Sequence, residues 1–142
     1  MIFQRINATD AEKVFGIFQN VSGATITAGY PGVWSSSTPD GVRVTQPSTA
    51  LLSCLVGLAV NNVLDSAYGK FQNYGYKSSA FLTNDASVAV AAGDILIPVD
   101  GQWHLARSGA GDGKSGFIYA AEAFATATTP AAAMKKVFIR AL

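Results

Sequence analysis

The segment Ser108–Gly116 (SGAGDGKSG) has the residue types of a loop that binds phosphate. Such a loop needs a glycine five positions before its final Gly-Lys-Ser, so that the backbone curls and its amides point at the anion. Gly113-Lys114-Ser115 is present, but Ser108 occupies the position of the first glycine. A helix should follow with its N-terminus at the anion, whereas Phe117-Ile118-Tyr119 is typical of a strand. The sequence therefore favours a loop between two strands over a nucleotide site.

His104 and Cys54 are the single histidine and the single cysteine, and both residue types serve elsewhere as nucleophiles or metal ligands. They lie far apart in the sequence, and no spacing indicates a metal site, so we expect neither a metal nor a cofactor. Cys54 lies in the apolar run Leu51–Val60 and is predicted to be a small buried residue. His104 follows Trp103 in a predicted strand, where a packed or surface histidine is the simpler interpretation.

The hydroxyl and carboxylate groups show no catalytic pattern. No Gly-x-Ser-x-Gly sequence is present, so the turn that carries the nucleophile of many hydrolases is missing. The carboxylates sit mostly in predicted turns, where aspartate is favoured because its side chain bonds nearby amides. None forms a pair whose spacing marks a glycosidase. The sequence predicts no catalytic residue, and we expect that the protein is not an enzyme. The residues considered are Asp40, Asp65, Asp85, Asp94, Asp100, Asp112 and Glu122.

The composition points to a protein that assembles. The 142 residues, 49% of them hydrophobic, fit one domain with its own core. Only 13% are charged, about half the usual share. We therefore expect part of the surface to be buried against other subunits; the alternative is a neutral monomer with an exterior rich in Ser and Thr. The net charge of +1 has no basic stripe, which argues against nucleic acid or a membrane as the partner. Residues 1–13 carry acids where a signal peptide needs an apolar core, so export is not indicated.

Short β-prone runs alternate with turn signals along the whole chain. This pattern predicts an all-β fold, a single compact β-sandwich or β-barrel domain with little helix. Leu51–Val60 is nearly continuous apolar and predicts a central strand buried on both faces, with a short buried helix as the alternative. Ala125–Ala133 joins the last two strands, or forms a short helix near Pro130. The predicted strands are Lys13–Val21, Gly29–Ser36 (its first half at an edge or irregular because of Pro31), Val42–Thr45, Leu51–Val60, Tyr68–Tyr76 continuing through Ser79–Leu82, Ile95–Val99, Gln102–Arg107, Phe117–Phe124 and Val137–Leu142.

The stretch Tyr68–Arg107 contains the clearest architecture. In Tyr68–Tyr76 the residues alternate between two faces, and the glycines predict a bulge or the close approach of another backbone. Asp100-Gly101 between two β-prone runs is a strong hairpin signal. Aromatic residues dominate the energetics of cores and interfaces. We therefore take four of them as candidate interface residues: Trp34, Tyr74, Tyr76 and Trp103.

Three segments together resemble the head decoration (cement) proteins of tailed bacteriophages. They are Tyr74-Gly75-Tyr76, the run Ala91–Pro98 (AAGDILIP) and the ending Lys136–Leu142 (KVFIRAL). In that family an N-terminal strand is followed by an aromatic-glycine strand, an AAGD hairpin and an Ala-rich segment that leads to a closing strand. The first half of the chain matches more loosely, through Phe18–Val21 and Ala28–Tyr30.

The resemblance implies a non-enzymatic virion protein, made in the host cytoplasm, that binds the outer surface of the capsid. Its partner would be the major capsid protein, and it would assemble as a homo-oligomer, with a trimer favoured. Residues 1–13 would be an N-terminal arm that reaches a neighbouring subunit, or the first strand of the same domain, and residues 14–142 the decoration domain. The alternatives are another virion component (a head fibre base, a tail tube or a host-binding module) and a small β-barrel ligand-binding protein or enzyme.

Overall fold

The chain folds almost entirely into β-strands, which confirms the predicted fold class. The computed structural model describes residues 12–38, 40–84, 89–109, 117–125 and 131–141. Within these ranges the one helical element is a 3-10 turn, Thr49–Leu51, and no helix is long and apolar enough to cross a membrane. The strands are β1 (Val14–Asn20), β2 (Pro31–Trp34), β3 (Arg43–Thr45), β4 (Leu55–Ala59), β5 (Tyr68–Thr83), β6 (Ile95–Pro98), β7 (Leu105–Arg107), β8 (Ile118–Ala120) and β9 (Ala132–Arg140).

The strands form one mixed sheet whose pairings close into two rings that share β5. In the N-terminal ring, β5 pairs with β1 and β4, and β3 and β2 complete the circuit. In the C-terminal ring, β5 pairs with β7 and β9, and β6 and β8 complete it. The sharing is possible because β5 is 16 residues long, about three times the usual strand. Its first half serves one ring and its second half the other.

Each ring encloses its own hydrophobic cluster, and β4 contributes to both. Val56 and Ala59 belong to the N-terminal cluster around Phe71, whereas Leu55 and Leu58 belong to the C-terminal cluster. All five residues of β4 are buried, which confirms the prediction of a central strand covered on both faces. The rest of the C-terminal cluster is made of Ala80, Leu82, Val90, Leu96, Leu105, Ile118, Ala120, Val137 and Ile139.

A bulge at Gly57 allows β4 to serve two cores. Gly32 of β2 pairs with Gly57, but the next pair is Val33 with Leu55, so Val56 has no opposite residue. The extra residue interrupts the regular alternation of side chains between the two faces of β4. Residues before and after the bulge can therefore point into different cores. A Cβ at Gly57 would overlap the carbonyl group of Gln72, so only glycine lets β4 and β5 approach this closely.

Most of the predicted strands are present, but several boundaries were wrong. The run Leu51–Val60 is a strand only from Leu55, because the 3-10 turn precedes it. Trp103 and His104 lie in the hairpin loop before β7, not in a strand. The irregular first half predicted for Gly29–Ser36 is confirmed: β2 begins only at Pro31, and β3 pairs with it only from Val33.

At the C-terminal end the predicted strand and its linker also differ from the structure. Strand β9 begins at Ala132, so the alternative of a helix is wrong for Ala132 and Ala133. Three predictions fall wholly or partly on segments outside the described residues: the N-terminal arm as far as Ala11, most of the glycine-rich loop (110–116), and 126–130.

Candidate functional site: an aromatic band on the C-terminal ring

Side chains on the outer face of the C-terminal ring line up across four strands. Tyr76 of β5 pairs with Phe138 of β9, Phe138 pairs with Tyr119 of β8, and Tyr119 pairs with Ile95 of β6. These residues point outward because their neighbours along each strand point into the core; Val137 and Ile139, for example, are 0% exposed. The result is a continuous row of apolar side chains at right angles to the strands.

Tyr74 extends this row along β5. Its ring meets the ring of Phe138 edge-on, with centroids 5.5 Å apart and planes at 78°, a favourable arrangement for aromatic pairs. The aromatic band is defined by Tyr74, Tyr76, Tyr119, Phe138 and Ile95. Ile95 is 40% exposed, and the four rings are half-buried. These rings fill no core, so part of each remains available for contact with another molecule.

Two cationic side chains flank Phe138 on β9. Lys136 is held by Glu122: its amide donates a 2.8 Å hydrogen bond to Oε1, and its Nζ lies 3.6 Å from Oε2. That amide hydrogen bond, more than the nearby positive charges, lowers the pKa of the Glu122 carboxyl. Arg140 is exposed beside Tyr74 and has no ion pair with any described residue. The band therefore has a free guanidinium at one end, which suits a carboxylate on a partner.

A second aromatic cluster lies against the hairpin loop between β6 and β7. Tyr30 stacks on Phe81 (centroids 5.2 Å apart) and on Trp103 (5.8 Å), and His104 meets Phe81 edge-on. Burial lowers the pKa of His104, which favours its neutral form. All four side chains are half-buried, and Tyr30 and Trp103 pack against the N-terminal cluster, which anchors the loop to that core. In the described ranges, no group of three or more His, Cys, Asp or Glu residues could hold a metal ion.

The structure separates the four candidate interface residues. Tyr74 and Tyr76 belong to the aromatic band, whereas Trp103 belongs to the second cluster. Trp34 also packs against the N-terminal cluster, as Trp103 does, but its ring meets the Phe18 ring edge-on, with centroids 5.2 Å apart. Tyr119, Phe138 and Ile95 were not among the predicted interface residues. Each of them alternates with apolar residues along its strand, and this pattern could have marked it as facing outward. Only the register between strands shows that the three side chains are neighbours.

The candidate reactive groups do not converge. Cys54 is half-buried just before β4 and has no partner thiol among the described residues. Most of the glycine-rich loop lies outside the described residues, but the segment that follows it is strand β8, as predicted, and not the helix that a phosphate-binding loop requires.

Comparison with known proteins does not assign this chain to a family. No family model matches this chain. No curated protein matches it either. Among solved structures, the chain is similar to the head fiber gp8.5 N base of bacteriophage phi29. The two share 15% identity at a TM-score of 0.49, over 90% of this chain and 94% of that chain.

Proposed function

We propose that this chain is a structural virion protein that binds the outer surface of a tailed-phage capsid and bridges neighbouring capsid subunits. The observation that carries the proposal is where the three decoration-protein segments meet. Tyr74-Gly75-Tyr76, Ala91–Pro98 and Lys136–Leu142 are far apart in sequence, yet each contributes to the aromatic band. The segments that carry the resemblance therefore build one surface.

The chemistry of the band suits a protein partner. Half-buried rings offer a large contact area with little loss of conformational freedom, and such residues dominate interface energetics. Arg140 adds a directional contact to a carboxylate at the edge, where it steers and orients the partner. The partner would be the major capsid protein. A protein that binds only the assembled shell stabilises it by mass action, because dissociated subunits lack the composite site.

Binding to empty shells tests the proposal directly. Purified protein is added to expanded phage shells that lack decoration, and bound copies are counted against protein concentration. We expect the number of bound copies to saturate at a symmetric set of sites on the shell. If the protein is the trimer that the resemblance implies, each site should hold three copies. Saturated shells should also withstand a higher temperature than bare shells.

Charge reversal at one end of the band locates the contact. Arg140→Glu should weaken shell binding by about tenfold or more, because it sets a carboxylate against the partner's carboxylate, and a tenfold change corresponds to about 1.4 kcal/mol. Lys70→Glu makes the same charge change at an exposed residue in the part of β5 that belongs to the N-terminal ring, and it should bind like the wild type. Equal weakening by both variants would show a general charge effect and would contradict a contact through the band.

The alternative functions give different results in the same experiment. A head fibre base would occupy a few positions, and a tail tube component or host-binding module would leave the shell surface bare. A ligand-binding protein or enzyme would ignore shells as well. Binding that never saturates a symmetric set of sites would overturn the proposal.

A further inference from the structure

Lys77 is the one charged residue with a buried side chain in the part of the chain that the structure describes. It lies in β5, is 9% exposed and pairs with Val137 of β9. Residues paired directly across two strands point to the same side of a sheet, and Val137 points into the C-terminal core. The apolar stem of Lys77 is therefore packed on the core side of β5, although its ammonium group still requires water or a counter-ion.

The ammonium group of Lys77 reaches the surface at the end of this buried stem. No hydrogen bond or ion pair joins it to another residue of the described ranges. Within the same ranges, every buried side-chain nitrogen and oxygen atom has a hydrogen-bond partner. The Nζ of Lys77 is therefore not fully buried. A charge held in this way is open to a ligand from outside the chain.

Lys13 brings a second positive charge to the same side of β5. The chain enters β1 across Gly75, which shares a face of β5 with Lys77: a Cβ at Gly75 would lie 3.2 Å from the Cα of Lys13. Burial, followed by the positive charge of Lys13, lowers the pKa of the Lys77 ammonium group. The ion pairs of the described residues involve neither lysine, so two like charges are neighbours without a carboxylate between them.

Two neighbouring ammonium groups repel each other, and an anion that contacts both removes this cost. We propose that Lys77 and Lys13 form a binding site for a doubly charged oxyanion of the phosphate or sulfate class. Two single positive charges balance one dianion, and each ammonium group offers three hydrogen-bond donors to its oxygen atoms. A single carboxylate would neutralise only one of the two lysines.

The anion site is separate from the aromatic band. Tyr74 and Tyr76 alternate with Gly75 and Lys77 along β5, so the band and the buried lysine lie on opposite faces of the strand. A bound anion connects the entry of β1 with the second half of β5, close to the place where the two rings join. Such a ligand stabilises a single folded copy by mass action, so the inference does not depend on capsid binding.

Isothermal titration calorimetry of the purified full-length protein tests the site, with inorganic phosphate as the titrant and chloride as the only other anion. We expect one phosphate to bind per chain. Lys77→Met should weaken this binding by about tenfold or more, because it removes one of two charge-assisted contacts, and Lys13→Met should weaken it as well. Lys70→Met, the same loss of charge at an exposed residue of β5, should bind phosphate like the wild type.

The titration can also contradict the proposal. Absence of saturable binding to the wild type, or equal binding by Lys77→Met, would overturn the site. Misfolding does not explain a loss of binding in Lys77→Met, because removal of a buried unpaired charge stabilises the fold. Acetate that bound as tightly as phosphate would overturn the assignment to a dianion. Adenosine monophosphate as a second titrant distinguishes a free ion from a phosphate group on a larger molecule, and the site stands if either one binds through Lys77.

Thermal unfolding gives a second readout. Phosphate at ten times its dissociation constant should raise the Tm of the wild type by about 4 °C relative to chloride at the same ionic strength. The Tm of Lys77→Met should rise much less, whereas Lys70→Met should respond like the wild type. An equal rise in all three proteins would show a general salt effect and would contradict a site at Lys77. Because no shell is present, these outcomes are distinguishable from a failure of capsid binding.

Discussion

Asn73 of β5 donates a hydrogen bond of 2.6 Å from its side-chain amide to the backbone carbonyl of Val56 in β4. Val56 is the residue left without an opposite partner by the bulge at Gly57, and the β4–β5 ladder begins only at Leu58. A side chain thus replaces the missing backbone partner at the place where the two rings join. Both residues are at most 7% exposed, so water offers little substitute.

Asn73→Ala should lower the free energy of unfolding by roughly 1–3 kcal/mol, the cost of leaving a buried carbonyl without a partner. Urea unfolding followed by tryptophan fluorescence measures the loss. Asn62→Ala is the matched control, because the Asn62 side chain accepts a hydrogen bond from the Ala28 amide at an exposed position. Its loss should be below about 1 kcal/mol, since water replaces the bond. Equal losses would contradict a special role for Asn73.

Gly57→Ala should be among the most damaging glycine substitutions in the chain. The added Cβ would overlap the Gln72 carbonyl, and we expect a loss of about 3 kcal/mol or more because the backbone at the strand crossing must shift. Gly93→Ala controls for the conformational cost alone: its φ is +93°, but a Cβ there meets nothing within 4 Å. That variant should lose about 1–2 kcal/mol. Thermal unfolding compares the two, and a smaller loss for Gly57→Ala would contradict the close approach of β4 and β5.

Lys77 should make stability depend on pH above neutrality. Its side chain is 9% exposed, and burial, followed by the nearby charge of Lys13, lowers the pKa of its ammonium group from 10.5. The unfolded chain therefore holds this proton more tightly than the folded chain, so protonated Lys77 costs stability at neutral pH. The cost shrinks as pH rises from the lowered pKa toward 10.5.

Lys77→Met should therefore unfold at a higher urea concentration than the wild type at neutral pH, with a difference that narrows in alkaline buffer. Lys70→Met, at an exposed residue of the same strand, should show no such trend. A Lys77→Met difference that stayed constant as the pH was raised would contradict the assigned burial of the charge.

His104 should titrate below the ordinary histidine range. Burial lowers its pKa from 6.5, and as the single histidine it is read without ambiguity in a proton NMR titration. Phe81→Ala removes the ring that faces the imidazole and should return the midpoint toward 6.5, whereas Tyr74→Ala should leave it unchanged. Since the folded state resists protonation, His104 also reduces stability as the pH falls below 6.5. A midpoint at or above 6.5 in the wild type would contradict its burial.

Local signals in the sequence predicted much of the framework. The pairing of β6 with β7 follows the hairpin predicted at Asp100-Gly101, and Gly101 has the positive φ (64°) that such turns favour. Gly75 was predicted to permit close approach of another backbone, and a Cβ there would overlap the Glu12 carbonyl. These features depend on a few neighbouring residues, which is why composition and alternation reveal them.

The surface proposed to bind the capsid was only partly predictable. Tyr74 and Tyr76 could be selected as aromatic residues that share one face of a strand. The sequence could not show that Trp34 lies outside this surface, because a tryptophan in a short strand gives the same pattern in a core and at an interface.

The amino-acid sequence by itself determined the all-β class, the low charge and the positions of most strands, because turn residues and two-residue alternation act locally. Only the tertiary structure decided that β5 is shared by two rings, and that Tyr76, Phe138, Tyr119 and Ile95 stand in one row. Strand register is set by packing between segments far apart in the chain, and a shift of one residue would turn the whole row inward. The burial of Val137 and Ile139 in the C-terminal core holds Phe138 outward, and with it the band.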